Sequence, residues 1–102
     1  MADFPKTIKI GAKSYHVKLE DALSDERECG HCVFEHLLIR VNKALPDTER
    51  DETLLHEILH ACCNFVGIAE NASLTEEEFV TRVSPILFTV LRENDHSFNL
   101  HE

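Results

Sequence analysis

The sequence has little positive charge. Ten Lys and Arg stand against 19 Asp and Glu, a formal net of −9 in 102 residues. A chain so charged repels phosphate backbones, which argues against a nucleic-acid partner. No apolar run approaches the ~20 residues of a transmembrane helix, which argues against a membrane partner. Met1-Ala2-Asp3-Phe4-Pro5-Lys6 holds no apolar h-region, so a cytoplasmic product is expected. With only three Gly and three Pro there is no linker, repeat or low-complexity stretch. The length suits a single domain over residues 1–102, with a loose tail over about 95–102. Apolar residues make up 43% of the chain, enough for a packed core.

The acids gather at Glu20–Glu28, Asp47–Glu57 and Glu70–Glu78. Most such runs are solvated helix faces and loops, and the alternative is an acidic rim that favours basic substrates. Cysteine is also scarce: Cys29, Cys32, Cys62 and Cys63. Without a secretory signal, reduced thiols are expected rather than disulfides.

The first half alternates as strands do. Thr7–Ile10 and Ser14–Leu19 flank a Gly11-Ala12-Lys13 turn and predict a hairpin with one apolar face. Glu20–Glu28 reads as a loop with a helical turn at Asp21–Leu23. Cys29–Val33 and Leu37–Val41 predict a second strand pair, turning near Phe34-Glu35-His36. The second half reads as two helices. The first is capped by Asp47 or Thr48, with Leu54, Leu55, Ile58, Leu59, Cys62, Phe65 and Val66 on one face and Gly67 just past its end. The second is capped by Ser73 or Thr75, with a stripe of Val80, Val83, Leu87, Val90 and Leu91. Pro85 inside it predicts a kink or short break. Strands first and helices after make an α+β domain, a small mostly antiparallel sheet with both helices packed on it.

The string that carries chemistry is Leu54-Leu55-His56-Glu57-Ile58-Leu59-His60-Ala61. Helical residues four apart sit about 40° apart around the axis and one turn apart along it. His56 and His60 can therefore reach one metal ion. Glu57, next to the first histidine, is placed to act as general base on a water.

This string resembles the active-site helix of zincin metallopeptidases, and is most similar to small phage and prophage proteins related to the ImmA/IrrE and SprT-like gluzincins. The likeness continues through Leu37–Val41 with Leu45-Pro46, and through Glu77–Val83 and Leu87–Asn94. It covers roughly residues 36–94. The resemblance implies a minimal zincin-like fold, a Zn2+ cofactor and peptidase activity. It also implies a third ligand from the second helix, where a glutamate precedes a small apolar residue by three and a polar one by four. Glu77, Val80 and Thr81 fit that pattern. Helical periodicity instead puts Glu76 nearer the centre of the apolar stripe, and Glu78 completes the set of alternatives.

Cys29-Gly30-His31-Cys32 matches a disulfide-exchange string, but that chemistry wants its first cysteine at a helix N-terminus. A second zinc on Cys29, Cys32 and His31 or His36 lacks another Cys-x-x-Cys. Two reduced thiols in a strand and loop are expected. Tyr15, His31, His36 and Arg82 are the candidates for an oxyanion donor. His16 reads as a strand surface residue, and His96 and His101 lie in the tail. The expected function is zinc-dependent hydrolysis of a peptide or protein substrate, with Leu37–Val41 pairing an extended peptide along its edge. The alternative is a catalytically silent, zinc-stabilised binding module, such as a phage protein acting on a host or phage partner.

Overall fold

The structure is a computed structural model and describes residues 4–21 and 29–94. Strands β1 (Thr7–Ile10), β2 (Lys13–Glu20), β3 (Gly30–Val33) and β4 (Leu38–Asn42) precede helices α1 (Asp47–Phe65) and α2 (Glu76–Glu93). The expected α+β architecture is present. The helical turn expected at Asp21–Leu23 falls mostly outside the described residues, as does the tail beyond Asn94.

The sheet order is β1-β2-β4-β3. β1 pairs antiparallel with β2, and β3 with β4. The central pair, β2 with β4, is parallel. The two hairpin-like pairs therefore join side by side, with β4 inside and β3 at the edge. This corrects the expectation that Leu37–Val41 offers an edge. Both of its sides are taken, and the sheet edges are β1 and β3, β3 having no second strand partner among the described residues.

Alternation decides which side chains meet the helices. Ile8, Ile10, Tyr15, Val17, Ile39 and Val41 are all buried and share one face. His16, Lys18, His31 and Arg40 occupy the other. There Arg40 donates from Nε and Nη2 to Glu20 Oε2, at 3.0 and 2.6 Å. These bonds hold the Glu20 carboxyl below its ordinary range. Between β3 and β4 a 3₁₀ turn, Phe34–His36, ends at Leu37, whose φ of 49° is left-handed.

Leu54, Ile58, Ala61 and Cys62 of α1 join Val83, Ile86 and Val90 of α2 over the sheet. α1 lies over β3 and β4, and α2 over β1. The expected apolar faces are shifted in detail. Leu55 is 42% exposed, Phe65 50% and Val80 47%, so these three sit at the margins of the stripes assigned to them. α1 starts after Pro46 with no side-chain cap, in place of the expected Asp47 or Thr48. The fixed φ of Pro46 and its carbonyl, which accepts from Arg50 N–H at 2.9 Å, begin the helix instead. Its end is the expected one. Gly67 is left-handed at φ 78°, its N–H bonds Asn64 O, and Ile68 N–H bonds Cys63 O at 2.9 Å. α2 begins with the expected Thr75 cap in a full capping box with Glu78. It runs through Pro85 without the expected break. Pro85 and Thr81, whose carbonyl loses its donor there, are both exposed, so water can replace the missing bond.

Asn94 closes the fold. It is buried, and its side chain accepts from Lys9 N–H at 3.0 Å while donating to Lys9 O at 2.9 Å and Val90 O at 2.8 Å. It is the last described residue, just before the stretch of about 95–102 expected to be loose. Among the described residues no helix is long and apolar enough to cross a membrane.

Candidate metal centre

α1 turns Leu54, Ile58 and Ala61 into the core, which leaves His56 and His60 on the opposite, exposed face. Their rings meet edge to face with centroids 4.8 Å apart. The two Nε2 atoms are 3.1 Å apart. In the neutral pair one ring donates Nε2–H to the other. The same convergence suits a shared cation, since two nitrogens at about 2.0–2.1 Å from one tetrahedral ion lie roughly 3.3 Å from each other. The donor set thus fits zinc in two positions. Among the described residues no group of three or more His, Cys, Asp or Glu side chains comes together in this way.

Glu57 is buried, at 6% exposure, on the flank of α1 that faces β3. A Cβ on Gly30 would stand 2.7 Å from Thr53 Cγ2 and 3.3 Å from Glu57 Cγ. The glycine therefore lets the edge strand approach the helix at the motif, a role separate from the redox chemistry its neighbours suggest. Cys32, on the same face of β3, has its thiol pushed up to about 12, first by burial and then by the charge of Glu57. Cys62 is pushed up to about 11, by burial and by Cys63. Both are protonated, unreactive thiols at neutral pH. All four cysteines are unbridged, as expected. Cys29 sits before a strand and not at a helix start, and His31 points to the face of β3 opposite Cys32.

The three glutamates of α2 are all exposed and differ in what they touch. Glu77 Oε1 faces Thr81 Oγ1 at 3.4 Å, the pairing its sequence pattern anticipates. Glu78 accepts from Thr75 N–H at 3.1 Å as the capping box requires. Glu76 lines a cavity of about 810 Å³ together with His60. Of the three it is the one that shares a wall with His60. Phe34, Cys63, Ile68 and Phe79 line the same space. Sequence reasoning missed Phe34, Phe79 and Glu70 as site residues. The available signal was the phenylalanine following three first-turn glutamates, an aromatic placed where α2 approaches α1.

The oxyanion candidates separate by location. Tyr15 is enclosed in the core, its hydroxyl raised by burial and then by Cys32 and Cys62. His31 points away from α1. His36 is exposed on the turn after β3, and Arg82 is exposed on α2. His96 and His101 lie outside the described residues. No family model, curated protein or solved structure matches the chain.

Proposed function

We propose that the chain is a zinc-dependent metallohydrolase, a cytoplasmic peptidase of the gluzincin-like type. The observation that carries the reading is the convergence of His56 and His60 Nε2 to 3.1 Å on an exposed helix face. His56 and His60 would hold the ion, with Glu77 as third ligand and Glu76 the competing choice. Zinc, when bound, supplies a Lewis acid that makes a water nucleophilic near neutral pH. The chain's own groups do the rest. Glu57 takes a proton from the attacking water and returns it to the leaving amine nitrogen. Its side chain is buried where α1 meets β3, which supports a fixed position for the base. The open edge of β3 beside Glu57 receives the extended peptide, its backbone pairing as a further strand.

Purified protein should hold about one zinc per chain, lost on chelation and at acid pH as the imidazoles protonate. Glu57→Gln should keep the metal and lose hydrolysis. Loss of metal in that variant would make Glu57 a ligand. Alanine variants of Glu76, Glu77 and Glu78, titrated with zinc side by side, assign the third ligand. A protein that binds zinc through His56 and His60 but cleaves no member of a peptide library is the silent binding module.

A further inference from the structure

The cavity beside His60 is more than a neighbour of the histidine pair. Its volume of about 810 Å³ falls in the range of small-ligand sites, roughly 300–1,000 Å³, so it admits a few residues and not a folded domain. Its walls are largely apolar, from Phe34, Ile68, Leu74 and Phe79. Phe79 is 39% exposed, a large aromatic left wet by the core although it sits on the first turns of α2. Two carboxylates, Glu70 and Glu76, also line the cavity, and among the described residues no Lys or Arg does. Both are exposed, and neither has an ion-pair partner among the described residues. The space thus joins apolar walls to two carboxylates that no cation offsets among the described residues, with His60 in the same lining.

We propose that this cavity is a specificity subsite for a peptide segment that pairs a bulky apolar side chain with an adjacent lysine or arginine. The proposal rests on the metallohydrolase reading for its link to cleavage. The apolar side chain fills the space over Phe79 and Ile68, and the cation meets Glu70 and Glu76 at the rim. Charge complementarity excludes acidic peptides, which the net charge of −9 repels further.

The test measures binding separately from cleavage. Dye-labelled hexapeptides with central Phe-Lys, Phe-Gln, Phe-Glu or Ala-Lys are titrated by fluorescence anisotropy against the full chain, once with chelator and once with zinc. Phe-Lys should bind tightest, with Phe-Glu about fivefold weaker or more at low salt. Phe79→Ala should weaken Phe-Lys about tenfold, the loss expected for one well-buried aromatic contact. Glu70→Lys should reverse the order of Phe-Lys and Phe-Glu. Both side chains are exposed, so the variants should keep the circular dichroism of the parent. Equal affinity for Phe-Lys and Phe-Glu, or an order indifferent to Glu70→Lys, overturns the proposal. If the order holds in chelator while no zinc binds and no peptide is cut, the subsite stands and the hydrolase reading falls. If zinc binds and peptides are cut with no charge preference, the hydrolase reading stands and the subsite falls.

Discussion

α1 and α2 are almost equal in length, 19 and 18 residues, yet different forces hold them. α1 has no side-chain cap at its start. It buries Leu54, Glu57, Ile58, Ala61 and Cys62 and lies over two strands. α2 has a complete capping box and three acidic residues in its first turn, where the helix dipole favours them. It buries only Val83, Ile86 and Val90, and leaves Phe79, Val80 and Phe88 exposed. One helix is fixed by its neighbours, the other largely by its own ends. The motif helix therefore inherits its position from the core, whereas the glutamates of α2 are placed by local signals.

Perturbing the core should have the largest effect. Ile58 is fully buried on the face of α1 opposite the two histidines, so Ile58→Ala should cost about 2–5 kcal/mol in urea unfolding and weaken zinc binding with it. Zinc affinity unchanged in a destabilised variant would show that the histidine face is set locally, and the contrast between the helices would fail. Next comes the strand that touches the motif. A Cβ at Gly30 would meet Arg40 O at 3.0 Å as well as Thr53, and backbone cannot move aside as a side chain can. Gly30→Ala should cost about 1–3 kcal/mol and reduce hydrolysis by shifting β3 from Glu57. A cap removal is smaller and confined to α2. Thr75→Ala should cost about 1 kcal/mol and speed amide exchange at Glu78, with Leu54–Cys62 unaffected. Faster exchange in α1 would mean that the helices fray together.

The smallest effect is a pH dependence. Glu78 is held below its ordinary 4.5, first by the backbone N–H of Thr75 and then by the Thr75 hydroxyl. Above about 4.5 both folded and unfolded chains carry the ionised group, and its stabilising contribution is complete. As the pH falls from 4.5 through the lower folded value, protonation removes it. Glu78→Gln should flatten this part of the acid profile of α2 helicity. The Glu20–Arg40 pair on the sheet titrates with the same sign, so Glu20→Gln is the matching control on the other region.

Alternation and helical period made most of the fold legible. Ile8 and Ile10 against Tyr15 and Val17 define a hairpin, and Gly67 marks the end of α1. The order of strands was not legible. Alternation says which face a residue takes, not which strand lies beside it, so nothing in Leu38-Ile39-Arg40-Val41 distinguishes an edge from an interior place. The parallel contact of β2 with β4 is a tertiary choice. In the site, the spacing of His56 and His60 gave their convergence directly. The burial of Glu57 was not readable, because it depends on how closely β3 approaches, and that is set by the missing side chain of Gly30. The cavity was hidden because Phe34 and Phe79 are far apart in sequence and come to line one space only through tertiary packing.

Asn94 gives the sheet a direction for partnership. A strand at an edge invites any other extended chain, including another copy of the same protein, and uncontrolled pairing of this kind leads to aggregation. By engaging both the N–H and the C=O of Lys9, the Asn94 amide occupies one residue's worth of the bonds through which β1 would recruit a neighbour. The fold thus covers part of one margin with a single side chain, while the opposite margin, beside Glu57, has no strand partner among the described residues. Any further strand added to this sheet would then meet less obstruction at β3 than at Lys9 of β1.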